Sequence, residues 1–509
     1  MKAIGLAAAL ASLIVSPAIA RPPNIVLIMA DDLGYGDLGC YGGTGIDTPN
    51  LDKLAAEGLR FTQAYAPSAT CTPSRYAALT GEYAWRQPPR KVSILDGDAP
   101  LAIDPSRPTL ASFLRDAGYA TGLVGKWHLG LGDGITPVDF NQRIAPGPLQ
   151  VGFDSAFFIP ATVDRVPCVF IENERVAGLD PADPIRVSYL ERIGDDPVGH
   201  ERPELLVYPA DRQHADTIIN GISRIGHMAG GHAARWVDEN ITDVLVKRAE
   251  GFIAEHRQDP FFLFLGTHDP HVPRMPHPRF RGRSRAGIRG DAIVQLDWLA
   301  GEVAATLERH ELAEDTLVIF TSDNGPVLFD GYFDGSVEAN GGHDPAGGLR
   351  GWKYLRYEGG VRVPFIVRWP ARIEPGTSEA MMSLLDLFPT LAALAGRPYP
   401  ENAGKDGENL LPALLGQPGA QGRDSIVLHG IGNVLALRAG DWKFIPANAD
   451  TATGIGRGAD PRDTRFAEAR VSENLLFNLA QDPRETKNLA AARPKKAAEM
   501  AARLAQVQH

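Results

Sequence analysis

The pentapeptide at 71–75, Cys-Thr-Pro-Ser-Arg, carries the most distinctive chemistry in this chain of 509 residues. If Cys71 is oxidised to an aldehyde, the chain gains a nucleophile that no ordinary side chain supplies. The same pattern is also typical of an unmodified cysteine at a helix N-terminus, with proline in the first turn. A five-residue motif does not distinguish these two interpretations. The other polar residues of the chain must distinguish them.

Polar side chains follow four apolar segments, at the point where each predicted strand ends. In an open α/β sheet, ligands bind outside the carboxyl ends of the parallel strands. The four strands are therefore predicted to bring these side chains to one edge of the sheet. The strands and the residues that follow them are 24–30 with Asp31 and Asp32, 120–124 with Lys126 and His128, 261–265 with His268, Asp269 and His271, and 317–320 with Asp323 and Asn324.

The acidic members of this group predict a metal site. Asp31, Asp32, Asp323 and Asn324 offer oxygen ligands and no thiolate, which suits a hard divalent cation such as Ca²⁺ or Mg²⁺ better than structural zinc. Any one of these residues alone could instead cap the next helix or form an Asx turn. The occurrence of two such pairs, each at a strand end, favours the metal interpretation.

Five basic side chains could face the metal ligands and neutralise a bound anion. A metal together with fixed donors is an arrangement that stabilises charge developing in a transition state. An isolated lysine or arginine is more often a solvated surface charge, and an isolated histidine is more often a loop residue. His268 fits either role, and the remaining histidines, among them His214, are assigned no site role. The five predicted cationic residues are Arg75, Lys126, His128, His271 and Lys353.

The segments between these positions predict an α/β fold. Apolar strands alternate with helices, such as those at 49–58 and 291–310, which indicates a large, mostly parallel sheet flanked by helices. Residues 131–235 interrupt the alternation and are predicted to be a long insertion that carries loops and a small excursion from the main fold. Glycines and prolines around 398–422 predict a linker. Four short strands and a helix at 495–506 follow it and predict a smaller C-terminal antiparallel-sheet domain.

The predicted domains are a signal peptide at 1–20, a catalytic domain at 21–418 and a C-terminal subdomain at 419–509. The first twenty residues combine Lys2, an apolar stretch and an Ala-Ile-Ala ending, which is typical of a secretory signal peptide. The protein is therefore predicted to be periplasmic or secreted. No later apolar run has the length of a stable membrane span.

Charge and cysteine content narrow the possible partners. A formal net charge of −11 argues against binding to nucleic acid, so an anionic substrate must meet a local cationic pocket. Three cysteines are an odd number for an exported protein. If Cys71 is modified, Cys40 and Cys168 remain and could form a disulfide.

Five segments resemble the successive motifs of the formylglycine-dependent type I sulfatases, namely residues 24–41, 71–81, 125–130, 321–326 and 351–370. The resemblance covers most of the mature chain. It implies an alkaline-phosphatase-like α/β fold with a smaller C-terminal domain, a single calcium ion, and oxidation of a cysteine to formylglycine by a formylglycine-generating enzyme. The chain departs from many relatives where Trp352, rather than a small residue, precedes Lys353 and Tyr354 follows it, which leaves the pocket shape there open.

The resemblance also implies a role for each motif residue. In the implied mechanism, one hydroxyl of hydrated formylglycine attacks sulfur, and His128 then removes the proton of the second hydroxyl as sulfate leaves. The implied roles are calcium ligation by Asp31, Asp32, Asp323, Asn324 and modified Cys71; contact with the hydrate by Arg75, Lys126 and His128; and contact with the sulfate or the leaving oxygen by His271 and Lys353.

The substrate is predicted to be a sulfated carbohydrate. Residues 161–183 and 264–280 resemble bacterial sulfatases of polysaccharide sugars, including 6-O-sulfated galactose or N-acetylgalactosamine. Asp164, Arg165 and His268 are candidate sugar contacts, although a buried ion pair explains the first two equally well. Two alternatives stay open: a phosphate or phosphonate ester hydrolase, and a noncatalytic carbohydrate-binding protein with an unmodified cysteine.

Overall fold

The structure is a computed structural model, and it describes residues 21–86, 94–400, 402–448 and 468–508. The predicted signal peptide at 1–20 lies outside the described residues. Within them, no helix has both the length and the apolar composition needed to cross a membrane.

The strands of the described residues range from two to seven residues in length. In chain order they are β1 Asn24–Ala30, β2 Leu59–Phe61, β3 Ala64–Tyr65, β4 Ala120–Lys126, β5 Ser155–Ile159, β6 Ile171–Glu172, β7 Arg175–Val176, β8 Arg186–Ser188, β9 Ile218–Ile219, β10 Ile222–Ser223, β11 His227–Ala229, β12 Phe261–Gly266, β13 Thr316–Ser322, β14 Phe365–Arg368, β15 Gly376–Ser378, β16 Met382–Ser383, β17 Ser425–Gly430, β18 Val434–Ala439, β19 Trp442–Ile445 and β20 Leu475–Asn478.

A large sheet forms the centre of the described fold. Its strands lie in the order β15, β2, β14, β13, β1, β12, β4, β5, β6, β7. The neighbours from β13 to β5 run parallel, and β14 is antiparallel to β13. Because helices cover both faces of such a sheet, its central strands are apolar throughout, and β1, β12 and β13 are buried along their whole length. The predicted α/β class with a mostly parallel sheet is confirmed.

The helices alternate with these strands as predicted. The long pair α4 and α5 packs together, and α4 also contacts β4 and β12. The helix predicted at 291–310 begins four residues earlier, at Gly287. In chain order the helices of the described residues are α1 Pro49–Ala56, α2 Cys71–Thr80, α3 Leu110–Asp116, α4 Ile241–Glu255, α5 Gly287–Arg309, α6 Glu358–Val361, α7 Leu387–Leu394, α8 Leu411–Leu414 and α9 Pro494–Gln508.

The insertion predicted at 131–235 is more regular than expected. It contributes β5, which pairs with β4 inside the large sheet, and it carries the short strands β6 to β11. The prediction of loops and a small excursion did not include β5 as a strand of the large sheet. The last four of the five residues of β5 are apolar, and they lie among glycines and prolines, which obscured the strand in the sequence.

The C-terminal part forms the predicted smaller sheet. Strands β17 to β20 are antiparallel neighbours, and α9 packs against β18 and β19. The domain boundary at 418 and 419 stays a prediction.

The cysteines do not form the disulfide that the sequence left open. Cys40, Cys71 and Cys168 are all free thiols. Burial raises the pKa of both Cys40 and Cys168 to about 12. Such thiols stay protonated at neutral pH and are unreactive.

Candidate active site

The acidic residues predicted to bind a metal come together at the carboxyl ends of β1 and β13. The two strands are paired in register up to Ala30 and Ser322, so the residues that follow them lie side by side. The backbone N–H of Asp323 donates to the Ala30 carbonyl at 3.1 Å, and the Asn324 amide Nδ2 donates to Asp32 Oδ1 at 2.8 Å. All four predicted ligands are buried.

A buried cation contacts each of the three carboxylates. Lys126 Nζ lies 2.6 Å from Asp31 Oδ2, and Arg75 Nε lies 2.8 Å from Asp323 Oδ2. Lys353 Nζ lies 2.8 Å from Asp32 Oδ2. The members of such pairs must be satisfied together, because burying one charge alone costs several kcal/mol. The predicted cationic complement therefore contacts the predicted metal ligands directly.

The two neighbouring aspartates have opposite pKa shifts. Burial raises the pKa of Asp31 well above its usual value, and Lys126 only partly opposes that effect. Burial also raises the pKa of Asp32, but the charges of Lys353 and His271 outweigh it and bring the pKa below its usual value. Of the two, Asp32, which lies beside Lys353, is thus the one held in its charged form.

The donor set fits a hard cation such as calcium. Ligand atoms of Asp31, Asp32 and His271 lie within 4.8 Å of one another. The buried atoms Asp31 Oδ1 and Asn324 Oδ1 have no hydrogen-bond partner among the described residues. Since buried polar oxygens are rarely left unpaired, these two are free to bind an ion.

Cys71 is the first residue of α2, and the charges of Lys126 and Lys353 act on its thiol. Every residue of this helix is buried, and Ser74 Oγ donates to the Ser68 carbonyl at 2.9 Å, which fixes the turn that leads into it. Burial raises the pKa of Cys71, although the charges of Lys126 and Lys353 oppose the increase. An unmodified thiol here stays protonated and is a poor nucleophile.

His128 presents one free ring nitrogen to the site. Its Nε2 donates to the Leu95 carbonyl at 2.9 Å, because a carbonyl only accepts. Nδ1 is buried and has no hydrogen-bond partner among the described residues. Burial and the charges of Lys126 and Arg165 hold the pKa of this histidine well below its usual value. The imidazole is therefore neutral, with the lone pair of a general base on Nδ1.

His271 lies beside the acidic cluster and His268 is bound to helix α4. His271 Nδ1 donates to the Val272 carbonyl at 2.6 Å, and its Nε2 lies 3.7 Å from Asp32 Oδ2. Burial and Lys353 lower the pKa of His271 to about 4. His268 Nε2 lies 3.0 Å from the Thr242 hydroxyl of α4, so that nitrogen is used in a hydrogen bond within the protein. The predicted sugar contact of His268 stays a prediction.

The insertion brings Asp164 and Arg165 to the site as a buried ion pair. Arg165 Nη1 lies 3.0 Å from Asp164 Oδ1. Against the opposing effect of burial, Arg165 holds the pKa of Asp164 well below its usual value, with smaller contributions from His214 and His271. Arg165 also adds to the effects of burial and Lys126 that lower the pKa of His128. The buried-pair interpretation is correct, and the proximity keeps the sugar-contact interpretation open as well.

Sequence reasoning missed His214 and Asp330. His214 Nε2 lies 3.5 Å from Asp164 Oδ2, and its Nδ1 lies 2.7 Å from Asp211 Oδ1. Burial lowers the pKa of His214, but these two aspartates outweigh it and raise the pKa to about 9. Asp330 Oδ2 accepts from Lys353 Nζ at 2.9 Å. Neither residue follows a strand or belongs to a motif, so no local signal marks it.

Comparison with known proteins gives matches over most of the chain. The sulfatase family model matches residues 23–397. An N-acetylgalactosamine-6-O-sulfatase of Bacteroides thetaiotaomicron is 50% identical over 481 residues, which cover 93% of this chain and 91% of the relative.

Solved structures agree with the sequence matches. A protein from work on the metabolism of multiple glycosaminoglycans by Bacteroides thetaiotaomicron has a TM-score of 0.91 and 49% identity, and the match covers 96% of this chain and 99% of the other. The phosphonate monoester hydrolase of Agrobacterium radiobacter has a TM-score of 0.56 and 19% identity, with 96% and 95% coverage. At that identity the second similarity shows the alkaline-phosphatase-like fold alone.

Proposed function

We propose that this chain, which belongs to the sulfatase family, removes a 6-O-sulfate from N-acetylgalactosamine or galactose units of a carbohydrate. The protein is a sulfuric ester hydrolase of sulfated carbohydrate, because the family model and a 50% identical relative agree. The sugar and the position of the sulfate are the proposed part. The observation that carries it is the 50% identity to an N-acetylgalactosamine-6-O-sulfatase over 93% of this chain.

The chain's own residues would hold both groups that the chemistry needs. Asp31, Asp32, Asp323 and Asn324 would bind calcium together with the modified Cys71, which a formylglycine-generating enzyme would oxidise. When present, calcium supplies positive charge near the sulfate oxygens, and the hydrated aldehyde supplies a hydroxyl nucleophile. The unpaired oxygens of Asp31 and Asn324 support the first assignment.

The basic residues would have different roles, which depend on whether each side chain is neutral or protonated. Neutral His128 would take a proton on Nδ1, since its Nε2 is engaged by the Leu95 carbonyl. Lys126 and Arg75 would hold the nucleophile in place, because each is already fixed by a buried carboxylate. Lys353 stays protonated and would hold the sulfate.

His271 would stand at the leaving oxygen of the sulfate ester. Its Nδ1 is committed to the Val272 carbonyl, so only Nε2 is available to face the substrate. Its distance of 3.7 Å from Asp32 Oδ2 keeps that nitrogen within the acidic cluster. This position supports a contact with the group that departs from sulfur.

Sugar recognition would come from the insertion. Asp164 offers a carboxylate that accepts from sugar hydroxyls, and Arg165 and His214 offer donors beside it. A site that hydrogen-bonds specific hydroxyls rejects epimers strongly, because the wrong sugar leaves buried groups unpaired. We infer that this group selects the galactose configuration.

A substrate panel tests the proposal. We expect Asp164→Asn to lower kcat/KM on 6-O-sulfated N-acetylgalactosamine by about tenfold or more, the loss of one buried hydrogen bond to a charged group. Turnover of an aryl sulfate should fall much less. Asp183→Asn in the same insertion is the control, because Asp183 contacts His232 at the surface. Equal losses on both substrates would reject a sugar contact, and faster turnover of an aryl phosphate would favour the phosphoryl alternative.

Export is the remaining part of the proposal. The leader-like residues at 1–20 and the access of a periplasmic enzyme to polysaccharide support a periplasmic or secreted location. N-terminal sequencing of the protein from the exported fraction tests it. A mature chain that begins near Arg21 supports export, and an intact Met1 in the cytoplasm opposes it.

A further inference from the structure

Lys353 is held by a carboxylate that lies outside the proposed calcium ligands. Its Nζ donates to Asp330 Oδ2 at 2.9 Å as well as to Asp32 Oδ2 at 2.8 Å. Both Lys353 and Asp330 are buried. A lysine ammonium on four flexible carbons has no fixed direction of its own, so its position depends on such acceptors.

Tyr354 fixes the carboxylate of Asp330. The Tyr354 hydroxyl donates to Oδ1 at 2.8 Å and lies 2.9 Å from Oδ2. The Tyr354 ring also lies 5.3 Å from Lys353 Nζ, measured to the ring centroid. Both oxygens of Asp330 are thus engaged by Lys353 and its neighbour in sequence.

The backbone of Tyr354 is strained and fastened on both sides. Its φ of 79° lies in the left-handed region, which residues other than glycine rarely adopt. The N–H of Tyr354 donates to the Ala69 carbonyl at 2.7 Å, and its carbonyl accepts from Ile431 N–H at 2.9 Å. These bonds connect it to the segment before Cys71 and to the C-terminal sheet. Strain that is kept by such anchors is typical of functional positions.

Buried Arg274 fixes the loop that carries Asp330. Its guanidinium donates to the carbonyls of Val327 and Leu328 at 2.8 and 2.9 Å and pairs with Asp334 at 2.8 Å. Its Nε donates to the Pro270 carbonyl at 3.0 Å, one residue before His271. The Asp330 loop and the His271 loop are therefore one connected unit.

We propose that Asp330, held by Tyr354, is a positioning residue that fixes the ammonium of Lys353 for contact with the sulfate group. The proposal rests on the sulfate-holding role of Lys353 under the proposed function. A fixed donor stabilises charge in the transition state without reorganising, whereas a free lysine has to be ordered first. Loss of Asp330 therefore weakens sulfate contact and slows turnover together.

Kinetics on an aryl sulfate test the proposal with the calcium-loaded, formylglycine-containing enzyme. We expect Asp330→Asn to raise both KM and the inhibition constant of inorganic sulfate and to lower kcat, each by about tenfold, as for one charge-assisted hydrogen bond. Tyr354→Phe should shift them the same way by about threefold, since a neutral hydroxyl contributes less. Tyr357→Phe is the matched control. Tyr357 lies three residues after Tyr354, and its ring packs under Arg350. A lower kcat with unchanged KM and sulfate inhibition would mean fewer active molecules and would overturn the proposal.

A double variant gives the decisive comparison. In a Lys353→Met background, Asp330→Asn should cause no further loss of sulfate affinity, measured by calorimetry. The same additional loss in both backgrounds would show that Asp330 acts independently of Lys353. Unfolding midpoints of all variants separate misfolding from these effects. Because the assay uses an aryl sulfate, failure of 6-O-sulfated N-acetylgalactosamine as a substrate would reject the sugar proposal without deciding this one.

Discussion

At the scale of single residues, three buried carboxylates face three buried cations, while two oxygens of the predicted metal ligands have no hydrogen-bond partner in the part of the chain that the structure describes. Asp31 Oδ1 and Asn324 Oδ1 are the unused oxygens. A cation that binds them only in the folded state stabilises that state by mass action, by about 2.7 kcal/mol at a concentration one hundred times its Kd. We expect a chelator to lower the unfolding midpoint and to abolish turnover. Added Ca²⁺ should restore both.

Scanning fluorimetry of one preparation before and after chelation checks this prediction, with Mg²⁺ as the comparison ion. Asn324→Ala should weaken the calcium effect, because it removes one of the unused oxygens. An unfolding midpoint that neither the chelator nor calcium changes would contradict the calcium assignment.

The sequence could identify residues in two ways, by a position directly after a strand or by a short motif, as for Cys71, Arg75 and Lys353. Asp31 and Asp323 each come directly after a buried strand, so their meeting follows from parallel pairing alone. Asp330 and His214 lie in loops whose paths depend on buried contacts distant in sequence, such as those of Arg274. Burial of a polar residue in a loop leaves no period or motif in the sequence. Those positions could be found only in three dimensions.

At the scale of elements, β4 delivers Lys126 and His128 through a glycine that permits unusually close backbone contact. Gly125 has a φ of 93°, and a Cβ built on it would lie 1.9 Å from the Gly266 carbonyl oxygen of β12. We expect Gly125→Ala to destabilise the protein by about 3 kcal/mol or more, since backbone strain and overpacking each cost 1–3 kcal/mol. Lys126 should also be displaced, so activity should fall further than stability requires.

Gly118→Ala is the matched control for this prediction. Gly118 has nearly the same φ, 92°, but a Cβ there meets nothing within 4 Å. Gly118→Ala should lower the free energy of unfolding by only about 1 kcal/mol, the strain of an alanine in the left-handed region. Thermal unfolding and aryl sulfate turnover of both variants provide the measurement. Equal destabilisation by the two substitutions would show that the contact with β12 is unimportant.

The elements of the large sheet were predictable to the extent that their own sequence was distinctive. β1, β12 and β13 are long apolar runs, and their direction follows from the helices between them. β5 was missed because five residues among glycines and prolines give too short a pattern. The direction of β14 depends on which strand it pairs with, and its own residues do not encode that choice.

At the scale of the whole molecule, a buried charge cluster joins the C-terminal sheet to the catalytic domain. Lys443 Nζ of β19 lies 3.0 Å from Glu358 Oε1 of α6 and 3.0 Å from Glu485 Oε1. Glu485 Oε2 also accepts from the backbone N–H of Glu358 at 2.6 Å. Helix α6 follows the segment that carries Lys353. The C-terminal sheet therefore supports the active site from outside it.

Removal of Lys443 should destabilise this junction in a pH-dependent manner. Lys443→Met removes the cation from buried Glu485, whereas Glu358 keeps Arg362 at 3.6 Å and Arg438 at 3.9 Å. An unpaired buried charge costs about 3–5 kcal/mol. Burial raises the pKa of Glu485 to about 7, above its usual 4.5. Between those values the native state binds a proton that the unfolded state does not, so stability falls as pH rises from 4.5 through 7. Without Lys443 that pKa rises further and the fall continues to higher pH.

We expect the difference in unfolding free energy between Lys443→Met and the wild type to be large at pH 8 and smaller at pH 5. Denaturant unfolding at both pH values measures it, with Lys495→Met, at an exposed position near the start of α9, as the control. A difference that is the same at pH 5 and pH 8 would mean that the charge of Glu485 does not set the strength of the junction.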